Sequence, residues 1–373
     1  MLKGFMAKTV APSPYIIAFA VFILIPLSFL TFKRNETWRE EVKLWRSVAR
    51  KSPAKARVFN NLGFSYSNLD KFDEAVQQYE ISLRLKPDFS VVHYNLGLTY
   101  RNQGLLDKAI KEYLLALSLN PDYAEAHTNL GNIYYDMGRM DDAISEYQTA
   151  LQLKPNSAET HNNLGLVYYK QGRLNDAIKE YAAALKLNPE FVEAHHNLGN
   201  AYHDKGLLDE AMREYKIAAR LYPGSIEIHF KLSVIYIKKG LLDKAIDELE
   251  TVLSINPDAS DAYTNLGVIY FKQGRLNEAK QAFNTALRIN PNDSDAHTNL
   301  GNIYSEQGNL DAAIEEYLSS LKLNPNSPET YYNLGNAYLM KGLKDKAIME
   351  YKHALKLKPD FLPAQQAMRT TNR

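Results

Sequence analysis

Apolar and small residues recur along most of the chain with a period of 34 residues. The tripeptide Asn-Leu-Gly appears eight times in this register, first at 61–63 and last at 333–335. One copy is replaced by Lys231-Leu232-Ser233, which stays in register. A fixed period of this length indicates a solenoid, in which each unit buries its apolar face against its neighbours.

The unit at 124–157 shows how the pattern predicts two helices. Apolar residues around Ile133 follow helical spacing, and Gly138 should end this first helix, because the position after a helix often needs a positive φ. A second apolar stripe follows, and Pro155 should stop it. We expect that position 131 holds glycine because the paired helices approach each other closely there.

Each unit contains a Leu-Gly pair or its variant, Tyr three residues after the Gly position, then, in most units, Ala, Tyr or Phe, Ala and Pro at set offsets. This pattern resembles a tetratricopeptide repeat. The resemblance covers residues 56–361 as nine units. It implies an all-α solenoid of helical hairpins, wound as a right-handed superhelix. It also implies a concave groove, lined by the first helices, that binds a protein or peptide, while the fold itself supplies no chemistry.

A separate apolar segment precedes the repeats. Residues 9–32 carry no charge, and the run 15–32 is long enough, with the residues before it, to cross a hydrocarbon core of about 30 Å. A cleavable signal peptide is disfavoured, since no small-residue cleavage site precedes Lys33. Seven Lys or Arg residues lie in 33–52, against two before the segment, which predicts a cytoplasmic location for the repeats.

Residues 36–53 read as a half repeat. Trp38, Val42 and Trp45 lie on one helical face, which either caps the first repeat or lies in the membrane interface. The register favours the cap. We therefore divide the chain into an N-terminal tail at 1–13, a transmembrane helix at 14–32, a basic juxtamembrane half-repeat capping helix at 33–55, the repeats at 56–361 and a C-terminal cap at 362–373.

The junction at 34–63 also resembles, weakly, the place where some multi-span membrane glycosyltransferase-like proteins pass into tetratricopeptide repeats. This resemblance implies an alternative function, an accessory subunit that presents acceptor peptide to a membrane glycosyltransferase. It also implies repeats outside the cytoplasm, against the charge rule.

Charge and composition narrow the function further. Residues 1–57 have a balance of +8 and residues 58–373 a balance of −7, so the repeat array argues against a nucleic-acid partner. With no cysteine, disulfides, thiolate zinc sites and a Cys nucleophile are excluded. Six of the histidines recur at the fourth position of a unit, too far apart to share a metal ion, so we expect them to pack. No catalytic motif occurs, and we predict a non-enzymatic protein without cofactor or metal.

The candidate site is the row of polar residues that the first helices should present to the groove. The sixth and ninth positions supply Asn95, Asn129, Asn163, Asn197, Lys231, Asn265, Asn299, Asn333, Asn132, Asn200, Asn302 and Asn336. The ladder at the sixth position either bonds a peptide backbone or bonds locally as part of the consensus. The second position is mostly acidic, which indicates either a solvated face or a row of carboxylates that attracts basic ligands.

The sixth unit departs from the consensus. Phe230 and Ile237 make its groove apolar, and Lys231 replaces Asn. Either this unit has drifted, or these residues anchor a partner. We predict a membrane-anchored scaffold that recruits a protein or peptide, as part of a membrane protein complex.

Overall fold

A computed structural model describes residues 36–371, and this part of the chain is helical without strands. The helices are α1 at 36–51, α2 Ala56–Ser67, α3 Phe72–Leu85, α4 Ser90–Asn102, α5 Leu106–Leu119, α6 Ala124–Asp136, α7 Met140–Leu153, α8 Ala158–Lys170, α9 Leu174–Leu187, α10 Val192–Asp204, α11 Leu208–Leu221, α12 Ile226–Lys238, α13 Leu242–Ile255, α14 Ser260–Lys272, α15 Leu276–Ile289, α16 Ser294–Glu306, α17 Leu310–Leu323, α18 Pro328–Met340, α19 Lys344–Leu357 and α20 Leu362–Thr371.

The predicted tail at 1–13 and transmembrane helix at 14–32 lie outside the described residues, as do the last two residues of the C-terminal cap. Among residues 36–371, each helix is too short or too polar to cross a bilayer.

Helices α2 to α19 form the nine predicted pairs. In the third repeat, α6 gives way to a turn at Gly138, whose φ of 74° confirms the reason for glycine there. The second helix, α7, stops two residues before Pro155. The all-α repeat architecture predicted from the 34-residue period is therefore confirmed.

The glycine inside each first helix is required by an aromatic ring on the second helix. A Cβ at Gly131 would lie 2.7 Å from Cε1 of Tyr147, well inside van der Waals contact. The sixth repeat has Ser233 at this position, and there Leu249 replaces the ring; both are fully buried. The change from glycine to Ser233 is thus compensated by the change from an aromatic residue to Leu249.

The repeats divide into two compact units between Asn188 and Pro189, and each is described by itself. In the first unit, α1 packs onto the first repeat, with Val42 and Ala49 buried in the same cluster as Leu62. Trp45 packs against that cluster too. The first repeat therefore occupies the apolar face of α1.

In both units, several first helices contact the first helix of the next repeat. This holds for α2 with α4 and α6 with α8 in the first unit, and for α14 with α16 and α16 with α18 in the second. Each second helix packs against its own first helix and against the first helix of the next repeat. Where they adjoin, the first helices form a shared surface, and the candidate site residues lie on these helices.

Candidate functional site: the surface of the first helices

A pocket of about 320 Å³ opens in the first unit, between repeats two and four. Tyr94, Glu125, Asn129 and Glu159 contribute to its lining. Lys154 pairs with Glu125 at 2.8 Å, and this hydrogen bond is the main reason that the pKa of Glu125 is lowered. Burial, followed by the charge of Glu125, raises the pKa of the Tyr94 hydroxyl. The acidic row is thus partly neutralised here.

A second pocket, of about 290 Å³, opens in the second unit between repeats seven and nine. It brings together three residues of the predicted site, Asn302, Asn333 and Asn336, with Phe271 and Glu306. An aromatic wall, several amides and a carboxylate together can accept an extended, donor- and acceptor-rich segment.

The amides of this pocket belong to a hydrogen-bonded relay. Tyr317 Oη donates to Asn302 Oδ1 at 2.8 Å, and Asn333 Nδ2 donates to the same oxygen at 3.0 Å. The relay orients both amides and leaves Asn302 Nδ2 as a donor and Asn333 Oδ1 as an acceptor without a partner among the described residues. A peptide group needs one of each.

The same relay occurs once in the first unit. Tyr147 Oη donates to Asn132 Oδ1 at 2.7 Å, and Asn163 Nδ2 donates to that oxygen at 3.0 Å. These residues stand at the same repeat positions as Tyr317, Asn302 and Asn333.

The other asparagines of the candidate site bond locally, in several arrangements. Asn95 donates to Asn60 and Asn129 to Tyr94, both at 3.0 Å, linking neighbouring repeats. A second group comprises Asn265 and Asn299, which bond the backbone one turn earlier, and Asn200 and Asn336, whose oxygens accept from Tyr215 and Tyr351. Asn197 is half-buried on α10. Most of the candidate asparagines therefore bond locally, and three of them line the second-unit pocket.

The sixth repeat is built differently. Phe230 and Ile237 are half-buried and pack against the core of the second unit. Lys231 lies close enough to His196 to oppose its protonation, but burial is the main reason that the pKa of His196 is lowered. Lys231 stands at the sixth position of the repeat after Asn200, where a relay would need asparagine. The Nδ2 atom of Asn200 lies 3.2 Å from His196 Nε2.

The histidines at the fourth position do more than pack. Each Nδ1 lies 2.6 to 2.7 Å from a glutamate on the second helix of its repeat, and each Nε2 lies 3.0 to 3.4 Å from a proline carbonyl before the repeat. At His93 and His127, where both partners are acceptors, this geometry favours the imidazolium. The hydrogen bond to Glu112 is the main cause that raises the pKa of His93, and Glu146 does the same for His127.

These contacts between histidine and glutamate were not predicted from the sequence. Their signal was available, since a glutamate follows each of these histidines at a constant interval of 19 residues, as Glu112 follows His93. Within residues 36–371, no group of His, Asp and Glu side chains could hold a metal ion.

Two tyrosines at the same repeat position lack the hydrogen bond that Tyr147 and Tyr317 make. The hydroxyls of Tyr113 and Tyr181 are buried without a hydrogen-bond partner among the described residues. In both repeats the ninth position is leucine, Leu98 or Leu166, where four other repeats have asparagine. Burial raises the pKa of both hydroxyls.

Comparison with known proteins agrees with this architecture. A family model described as the cilia and flagella-associated protein 70 C-terminal domain matches residues 157–358, more than half of the chain. Models described as TPR repeat match 97–138 and 131–172, and one described as tetratricopeptide repeat matches 56–89. The chain belongs to the tetratricopeptide repeat family. No curated protein matches it significantly.

Solved tetratricopeptide repeat structures share the fold. A protein from Parabacteroides merdae is 18% identical with a TM-score of 0.54, and the match covers 67% of this chain and 99% of that one. A chain of the APC/C hetero-tetramer Cut9-Hcn1 is 17% identical with a TM-score of 0.52, covering 91% and 83%. The C-terminal part of a TPR repeat-containing protein from Cytophaga hutchinsonii is 18% identical with a TM-score of 0.51, covering 65% and 98%. These similarities establish the fold alone.

Proposed function

We propose that this tetratricopeptide repeat protein is a membrane-anchored scaffold that binds a segment of a partner protein along its first helices, for recruitment or complex assembly. The observation that carries the proposal is the second-unit pocket, where the relay from Tyr317 presents Asn302 Nδ2 and Asn333 Oδ1 together. A donor and an acceptor held in fixed orientations suit the backbone of an extended chain.

The membrane part of the proposal rests on the sequence. The uncharged run at 15–32 supports an anchor, and the Lys and Arg excess after it supports a cytoplasmic location for the repeats. Protease added to intact cells, and then to cells with the outer barrier opened, tests on which side of the membrane the repeats lie. Cleavage of the repeats from outside would contradict the cytoplasmic location and favour the glycosyltransferase accessory role.

Photo-crosslinking in the native membrane tests the pocket. We expect a photoreactive residue in place of Ser305, which lines the pocket, to capture a specific partner. The matched control is Gln281, which is exposed on the second helix α15. Equal capture from both positions would contradict binding on the first helices, and capture of a membrane glycosyltransferase would select the alternative function.

An isosteric variant sharpens the test. Asn302→Asp keeps the oxygen that accepts from Tyr317 and Asn333 but removes the outward N–H donor, so we expect capture at Ser305 to fall several-fold. Asn265→Asp is the control, because Asn265 donates to its own helix backbone. Unchanged capture by the Asn302 variant would exclude this amide from recognition.

A further inference from the structure

Four basic side chains converge at the start of the first unit. Arg39, Lys43 and Arg46 lie on one face of α1, since their spacing of four and three residues matches the helical turn. Lys71, from the turn between α2 and α3, joins them in lining a recess of about 460 Å³. This basic recess is built from two separate elements of the fold.

The recess keeps an excess of positive charge. Two acids, Glu36 and Glu40, line it as well, and Glu40 pairs with Lys43 at 2.6 Å. Lys71 lies 3.9 Å from Glu74, so four basic groups face three acids. Arg46 donates to the hydroxyl of Tyr66, which holds its guanidinium in place. Arg39 has no acidic partner among residues 36–371. Guanidinium and ammonium groups on a fixed frame are the donors that phosphate groups prefer.

The packing of α1 decides how this helix can meet a membrane. Its apolar face is covered by the first repeat, with Val42 and Ala49 buried. Insertion of that face into a bilayer would require removing it from the repeat core. Contact with a bilayer through the basic face, by contrast, leaves the packing unchanged.

The position of α1 along the chain brings the recess close to the proposed anchor. The described part of the helix starts at residue 36, four residues after Phe32, where the uncharged run ends. Four residues of extended chain span at most about 14 Å. Electrostatic attraction to anionic headgroups extends over a Debye length of about 8 to 10 Å. The first turns of α1 therefore lie within reach of the headgroup layer.

We propose that the basic recess binds the phosphate headgroups of anionic lipids and holds the first repeat against the bilayer. This inference rests on the proposed membrane anchor. The attachment would fix where the repeats begin relative to the membrane surface.

The test uses the full chain in vesicles. Because the protein has no cysteine, a single Ser47→Cys substitution allows one fluorophore to be placed on the exposed side of α1. Quenching by acrylamide, which is uncharged, is measured in phosphatidylcholine vesicles and in vesicles with about 30 mol% phosphatidylglycerol. We expect the anionic vesicles to reduce quenching about two-fold or more, and about 1 M salt to remove the difference.

Charge variants identify the residues involved. Arg39→Gln/Lys43→Gln/Lys71→Gln should abolish the lipid dependence while leaving Arg46 bonded to Tyr66. The matched control, Lys111→Gln/Lys179→Gln/Lys186→Gln, removes the same charge from exposed positions on α5 and α9 and should keep the dependence. Equal loss in both variants would refute a specific recess.

The outcomes separate the two proposals. If alkaline carbonate washes the chain from the vesicles, the anchor and this inference both fail. If the chain stays integrated and quenching is the same in both vesicles, the inference alone fails. If inorganic phosphate protects the fluorophore in phosphatidylcholine vesicles as well as phosphatidylglycerol does, the recess binds a soluble anion, and attachment to lipid is refuted.

Discussion

The unpaired hydroxyl of Tyr113 predicts an unusual result, a stabilising substitution in the core of a repeat. Tyr113 is fully buried on α5, and its Oη has no partner among the described residues. Leu98 stands where four other repeats have asparagine. Tyr147, one repeat later, occupies the same position and donates to Asn132 at 2.7 Å. Tyr113 and Tyr147 therefore form a matched comparison within one chain, the same residue at the same repeat position without and with a hydrogen bond.

The two Tyr→Phe substitutions should have opposite signs. An unsatisfied buried polar group costs about 1 to 3 kcal/mol, so Tyr113→Phe should stabilise its repeat by about 1 kcal/mol. Tyr147→Phe removes a made hydrogen bond, worth about 0.5 to 1.5 kcal/mol, and should destabilise. Asn132 Oδ1 keeps its bond from Asn163, which holds the loss to the lower part of that range.

Native-state hydrogen exchange suits the measurement, because repeat arrays open locally and a single unfolding free energy is poorly defined for them. Protection of the α4 and α5 amides should rise in Tyr113→Phe, while protection of α6 and α7 should fall in Tyr147→Phe. A double-mutant cycle adds a stronger test. Leu98→Asn should be favourable with Tyr113 and unfavourable with Phe at that position, with a coupling of about 1 kcal/mol.

Equal shifts in protection for the two Tyr→Phe variants would refute the reasoning, since it would mean that the hydroxyl of Tyr113 is already satisfied. Zero coupling in the Leu98 cycle would refute the assignment of the ninth residue as the partner.

Two further predictions concern packing and pH. Gly131→Ala places a Cβ 2.7 Å from the Tyr147 ring and should destabilise the third repeat by about 1 to 3 kcal/mol; adding Tyr147→Leu should recover much of this in thermal unfolding, as the Ser233 and Leu249 pair does natively, and a failed rescue would contradict the steric explanation. The raised pKa of His93 predicts a stability contribution that is fully present below its unfolded value of about 6.5 and is lost as pH rises through the raised value in the folded state. Exchange protection of the second repeat should therefore fall between mildly acidic and mildly alkaline pH, and Glu112→Gln should flatten that dependence; an unchanged profile would show that the histidine stays neutral.

The hairpin architecture was predictable because its determinants are local. Gly138 ends a helix through its own φ, Pro155 stops the next by its own ring, and both signals repeat with the period. The pairing of α1 with the first repeat followed from the same register. These features need only the order of residues along a few turns.

The candidate site was predictable in position but not in bonding. The sequence placed Asn302 and Asn333 on the same row, yet their different roles depend on Tyr317, which approaches from the second helix of the same repeat. The histidines were expected to pack, and their hydrogen bonds with glutamate depend on the position of the second helices. Phe230 and Ile237 were predicted as groove residues, and the structure places them half-buried against the core.

The sequence by itself therefore determined the repeat, its helices and the residues at each position, because helix formation and termination depend on neighbouring residues. Only the tertiary structure decided which amide oxygens are occupied, which hydroxyls are left unpaired and which basic side chains converge. These properties depend on distances between groups on different helices, such as the 2.8 Å from Tyr317 Oη to Asn302 Oδ1 and its absence at Tyr113 among the described residues. The ninth residue, asparagine beside Tyr317 and leucine beside Tyr113, distinguishes these two repeats and barely alters the repeat pattern.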